Sequence, residues 1–438
     1  MSTPDRRGEP GRSGTPDPER VVQLCSDLIR IDTSPAGDGE RAAAEFVAGE
    51  LSGLGLEAQL LEHLPRRTSV VARLEGTDAT RPGLLVQMHL DVVAADAPDW
   101  SVPPFAGEVL DGQVWGRGAV DMKDMVAMVI TALRAKLASG WRPARDIVIA
   151  LLADEETGGR EGAGWLVDSH PDLFDGCSES IGEAGGFSHE VGDGRRAYFV
   201  QIAEKGIRWL RLVAHGQGGH GSLIHPDNPI PKLAEALLRV QRYVPPHREI
   251  ESTQAVVTAA QEWTGKQDAD AALDALGPLG RLLRPTLRNT YSITKIAAGM
   301  QHNVVPFAAA ASIDGRCVPG YEAELLDEIR QLVGDLADVE VVQEGPAVQA
   351  RFDGTVPDAI RAAIEKEDPG AVVVPTCLPI GTDAKHFGRL GIRHFGFVPL
   401  RLPAGYDFAS MFHGVDERVP VSALAAGVRI LQSFFGEC

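Results

Sequence analysis

A chain of 438 residues with 44% hydrophobic side chains can build two domains, each with its own core. Its formal charge of -19 is spread along the chain, which disfavours nucleic acid and anionic membrane surfaces and favours capture of metal ions. Five scattered cysteines form no CxxC pair and no run reaches ~18 apolar residues, so a disulfide framework, a thiolate zinc knuckle and a membrane span are not expected.

Residues 1–18 are polar, rich in Pro and Gly, and lack an apolar signal-peptide core, so they are expected to be a disordered tail of a cytoplasmic enzyme. Ordered structure is expected near Glu19, where Val22, Leu24 or Cys25, Leu28 and Ile29 recur at helical spacing. A second amphipathic helix runs through Phe46, Val47 and Leu51. Strands are predicted at 68–73, 84–88 and 146–154, and helices at 125–139 and 162–170. This alternation predicts an α/β domain with a mostly parallel central sheet in three-layer α/β/α packing.

From Gly206 the texture changes. Strands around IRWLRLVAHGQ, NTYSITKIAAG and AAAASIDGRCVPG mix with a helix over 229–244 and a polar stretch at 261–280. A helix in EAELLDEIRQLVGDL and a strand in VEVVQEG follow. Later segments such as GIRHFGFVPL are punctuated by Gly and Pro. The expected organisation is a catalytic domain split into 19–206 and 321–438, with a small α+β lid or dimerisation domain inserted over 207–320.

The apolar run LLVQMHLD ends in His89 and Asp91, two residues apart and therefore on one face of a strand. Asp121, the pair Glu155–Glu156 and Glu183 lie at or beyond the ends of similar segments, and His413 closes the set. Alone, a His-x-Asp or a Glu–Glu pair is an ordinary surface feature. Repetition at strand ends is what suggests a site, because open α/β sheets bind ligands there. Imidazoles and carboxylates together suit two hard divalent ions, zinc first, with cobalt or manganese as alternatives. In this reading Asp121 bridges, His89 and Glu183 hold one ion, and Glu156 and His413 hold the other. Asp91 orients the His89 ring, and Glu155 moves the proton of the attacking water.

The segments HLDVV, DGQVWGRGAVDMKD, DEETGG and IGEAGG resemble the M20 peptidase family, which includes aminoacylases, carboxypeptidases and succinyl-diaminopimelate desuccinylase. The resemblance covers nearly everything after the N-terminal tail. It implies a co-catalytic zinc hydrolase with the same ligand set, and a cis peptide after Asp121. It also implies that His220, in GQGGHGSLIHPDN, helps polarise the substrate carbonyl, often across a homodimer formed through the inserted domain. Asn303 and Arg316 resemble groups near the substrate carboxylate, although Arg316 also suits a salt bridge within the lid. Gly381, in PIGTDAKHF, resembles a substrate-pocket turn.

The implied substrates are small acylated amino acids or short peptides. Glu183 looks more like aminoacylases and desuccinylases, the PPFAGEV and WGRGAVDMKD wording looks like the aminoacylase and carboxypeptidase S side, and hydrolysis of an N-acyl-L-amino acid is the expected reaction. A dipeptidase or carboxypeptidase is the alternative within the family, and a non-catalytic metal-binding or scaffold protein the alternative outside it.

Overall fold

The computed structural model describes residues 17–192 and 194–438. Most of the expected tail, residues 1–16, lies outside the described residues. Pro18 already opens helix α1 (Pro18–Ile29), whose first turn is capped by the Asp17 carboxylate accepting from the Glu19 N–H at 2.9 Å. The described residues form two compact units: one of those from 17 to 198 with 353–373 and 389–438, the other of 199–352 with 374–388.

The first unit holds helix α2 (Arg41–Ser52) and strands β1 (Ala58–Leu64), β2 (Arg67–Leu74) and β3 (Gly83–His89). Helix α3 (Lys123–Ala138), β4 (Ile147–Leu152), β5 (Cys177–Gly182), helix α4 (Thr355–Glu367), β6 (Arg393–Gly396) and helix α5 (Val421–Glu437) follow. Across the sheet the order is β1-β2-β4-β3-β5-β6. The centre is parallel: β3 pairs with β4 and β5, and β5 with β6. At the β1–β2–β4 edge the pairing is antiparallel, so the sheet is mixed. Every residue of β3 and β4 is buried, as expected of parallel strands covered on both faces.

Helices α4 and α5 have no counterpart in the sequence reading. Helix α5 packs on α1, α3 and α4 and buries residues nearly all round, including Leu424, Val428, Leu431, Phe434 and Phe435, which blurs the one-sided stripe that marks an amphipathic helix.

The second unit is built on a four-stranded antiparallel sheet in the spatial order 290–298, 308–317, 206–215, 338–345. Along Ala308–Cys317 buried residues alternate with more exposed ones, so one face carries the core. Helices Pro229–Arg242 and Glu322–Val333 complete it, with Leu233, Leu237, Ile313, Leu325, Ile329 and Val333 packed together. This packing moves the boundary expected at 320, because Leu325, Ile329 and Val333 bury one helical stripe in this core. The stretch read as polar contains the end of a helix, Glu251–Thr264, and two short ones, Ala269–Asp274 and Pro278–Leu283. Among the described residues no helix is long and apolar enough to cross a membrane.

Candidate metal centre

All seven residues that the sequence pattern nominated for the centre lie in the first unit. His89 is the last residue of β3, and Glu155 and Glu156 open a 3-10 turn, Glu155–Thr157, just beyond β4. Glu183 follows the last residue of β5. Three neighbouring parallel strands thus deliver side chains from their carboxyl ends to one place. Asp121 precedes α3, and the Asp121–Met122 peptide is cis. His413 sits on a loop with φ +56°, a left-handed conformation uncommon for a side chain of its size.

Asp121 stands between the two imidazoles. Its Oδ1 lies 3.0 Å from His89 Nε2 and its Oδ2 lies 3.3 Å from His413 Nε2. His413 Nε2 is also 3.0 Å from Glu156 Oε2, and His89 Nε2 is 4.0 Å from Glu183 Oε1. His89, Asp121 and Glu156 bring ligand atoms within 4.8 Å of one another, and so do His89, Glu155 and Glu183. The second group includes Glu155, which the sequence reading keeps out of the ligand set. Except for half-exposed His413, these side chains are largely buried.

The electrostatics favour cations. Hydrogen bonds to Asp121 and Glu156 push the His413 imidazolium up to about 10. Burial opposes a charge on His89, yet Asp121, Glu183 and Asp91 hold its pKa well above the ordinary value. Burial also opposes the Asp121 carboxylate, but the two imidazoles hold its pKa well below normal. Four carboxylates crowd two rings, and the buried Glu156 Oε1 has no hydrogen-bond partner among the described residues. The residues therefore fit two hard divalent ions, which take such oxygens and imidazole nitrogens as ligands.

Asp91 makes contacts beyond the His89 ring that the sequence did not suggest. The His89 Nδ1 faces the backbone carbonyl of Asp91 at 2.9 Å, whereas the nearer carboxylate oxygen is 3.6 Å away. The carboxylate instead accepts the backbone N–H groups of Glu155 at 3.1 Å and Glu156 at 3.0 Å. Burial raises the Asp91 pKa to about 7, against the pull of His89. Asp91 thus bonds the turn that carries both glutamates as well as facing the His89 ring.

Sequence reasoning missed Glu417. It is fully buried and accepts from Arg117 Nη1 at 2.8 Å, Gly118 N at 3.1 Å and Val120 N at 2.8 Å, gripping the loop that presents Asp121. Arg117 also approaches the His413 carbonyl at 3.4 Å. The only local signal was a glutamate four residues after a candidate ligand.

The remaining nominated residues lie in the second unit. His220 is exposed on a two-residue strand that pairs with Val304–Val305, and its Nδ1 lies 2.8 Å from the Ser222 hydroxyl. Asn303 is exposed on the same ribbon, where its carbonyl accepts from Gly221 N at 2.7 Å. Arg316 pairs with Asp314 at 2.8 Å, the salt bridge that the sequence left open. Gly381 adjoins Thr382, whose N–H donates to the buried Glu204 at 3.0 Å.

An α/β unit with this paired acidic–imidazole centre, alongside a separate α+β unit, defines a metal-dependent hydrolase. Residues 85–437 match peptidase family M20/M25/M40, and the chain belongs to that family. It is 28% identical over 392 residues to probable carboxypeptidase S-like 2 of Dictyostelium discoideum, covering 81% of this chain and 71% of that protein. It is 27% identical over 427 residues to aminoacylase-1 of Sus scrofa, covering 93% of both. The fold is similar to that of the M20 family metallo-carboxypeptidase Sso-CP2 from Sulfolobus solfataricus, with a TM-score of 0.71, 18% identity, and coverage of 95% of this chain and 98% of that one.

Proposed function

We propose that this chain hydrolyses N-acyl-L-amino acids to a carboxylate and a free amino acid, cutting an amide beside a free carboxylate. The observation that carries this reading is Asp121, whose two oxygens each face a different imidazole while Glu155 stands beside His89 and Glu183. Asp121, with His89 and Glu183 on one side and Glu156 and His413 on the other, would hold two divalent ions, and zinc would suit the mixed ligand set. When bound, the ions polarise the scissile carbonyl and acidify a water molecule.

Glu155 takes the proton from the attacking water and returns it to the leaving nitrogen. Asp91 supports that transfer by fixing the backbone under Glu155. His220 helps polarise the carbonyl from a second copy of the chain. Exposed Leu223, Ile224, Met300 and Phe307, close to His220 in sequence or along its partner ribbon, support such a homodimer contact. Asn303, Gly381 and Arg316 contact the substrate, with Arg316 exchanging Asp314 for the substrate carboxylate. Five cysteines that are all free suit a cytoplasmic setting.

The similarity to a carboxypeptidase S-like protein favours a second reading, removal of a C-terminal residue or cleavage of a dipeptide. Steady-state rates on N-acetyl- and longer N-acyl-amino acids against matched dipeptides decide between the two. A dipeptide preference above ~100-fold, about 2.7 kcal/mol of transition-state binding, reverses the ranking. Glu155→Ala should keep its metal and lose at least ~100-fold in kcat. Undiminished turnover would remove Glu155 from the chemistry and reopen the reading as a non-catalytic metal binder.

A further inference from the structure

Asp154 immediately precedes the proposed base in a left-handed conformation, φ +73°, which aspartate enters more readily than most side chains when its carboxylate bonds locally. Its surroundings hold it there. The Asp154 carboxylate accepts from the Thr157 hydroxyl and, at 2.9 Å, from Glu161 N. Its carbonyl accepts from Thr157 N at 3.2 Å and Gly159 N at 2.8 Å. Its counter-charge comes from β2: Arg67 Nη2 lies 3.6 Å from Asp154 Oδ1. The other arm of that guanidinium donates to Glu40, a carboxylate fully buried at the start of α2. Two residues along β2, the Ser69 hydroxyl accepts from Ala153 N at 3.1 Å.

We propose that Arg67, anchored by Glu40, is a positioning residue for Glu155, acting through Asp154 to fix the corner where β4 turns into the Glu155–Thr157 turn. A partly buried ion pair such as this one adds little net stability, because taking the charges out of water costs about what their attraction returns. What it supplies is one arrangement in preference to others. The Arg67 fork reaches two carboxylates from two different elements, so it sets the distance between α2, β2 and the corner. Proton transfer needs Glu155 placed to a fraction of an ångström, and the corner is the shortest route by which the rest of the unit can impose that. Asp91 secures the turn through its backbone N–H groups, and Arg67 secures the residue before it.

The inference rests on Glu155 being the proton-transfer group, so both are tested in one cycle. Arg67→Met and Arg67→Lys are made in the wild-type and Glu155→Ala backgrounds. For each, kcat, KM and bound metal are measured with saturating zinc. Expected is a kcat loss of at least ~10-fold for Arg67→Met, with KM within about 3-fold and metal content retained. Arg67→Lys should recover part of the loss. In the Glu155→Ala background the same Arg67 change should cost less than about 2-fold, because residues acting as a unit are not additive. Equal losses in both backgrounds, or a loss that follows metal content or KM, would overturn the positioning role alone. Wild-type turnover by Glu155→Ala would overturn it together with the base assignment. If Arg67→Met does not fold, Arg67→Lys in the two backgrounds gives the same decision.

Discussion

Replacing Asp91 distinguishes two jobs that the sequence alone could not separate. Its side chain is almost completely buried and accepts two backbone N–H groups, from Glu155 and Glu156. A hydrogen bond to a charged acceptor contributes roughly 1.5–3 kcal/mol, so Asp91→Ala removes on the order of 3–6 kcal/mol of restraint on the turn. If about half of that were felt as misplacement of Glu155, kcat would fall by about 10- to 100-fold. Asp91→Asn keeps one acceptor oxygen and should lose less.

The alternative is that Asp91 acts mainly by orienting His89. Removing such a partner typically costs ~10–100-fold in metal affinity. The assay is therefore a zinc titration of metal-free protein, with kcat read at saturation. The turn-holding role predicts a kcat that excess zinc does not restore. Recovery of wild-type turnover by zinc alone would refute it and return Asp91 to the imidazole.

Gly162 faces the Ala153 carbonyl so closely that an added Cβ would lie 1.8 Å from its oxygen, with backbone and not a yielding side chain in the way. Gly162→Ala should destabilise the protein by about 1–3 kcal/mol and lower activity, because Ala153 leads into the Asp154 corner. A thermal scan checks this, and a variant as stable and active as wild type would show that the corner relaxes freely. In the second unit, burial lowers the pKa of Lys205 to about 7, while its ammonium donates to Pro285 O, Arg288 O and Thr290 Oγ1. Between pH 7 and about 10 the unfolded chain then binds more protons than the folded one, so stability rises with pH by up to ~1.4 kcal/mol per unit from this group. Denaturant unfolding of wild type against Lys205→Met across that window should show the wild type gaining. A flat difference would mean that the three acceptors keep the ammonium charged.

The parts of the fold that could be read from the sequence were those where burial leaves a one-dimensional trace. β3 and β4 are buried, mostly apolar runs, and the candidate ligand residues stand at or just beyond their ends, where parallel sheets bind ligands. Helix α5 left no such trace, since helices pack around most of it. The partners of Asp91 were hidden for another reason. They are backbone groups more than sixty positions away, and an N–H has no letter of its own in a sequence. Arg67, Glu40 and Glu417 were similarly illegible: charged residues in the text of the chain, they show their purpose only where folding buries Glu40 and Glu417 against their arginine partners.

The second unit is assembled from two stretches of chain, and its crossings into the first fall partly inside strands Arg196–Glu204 and Val372–Leu378. Neither unit can therefore be obtained by choosing one start and one stop codon. A fragment spanning 199–352 would carry Glu204 without the Thr382 groups that satisfy its carboxylate. Anyone exchanging lids between related enzymes has two grafts to make, and the small one, 374–388, brings the Gly381 turn with it.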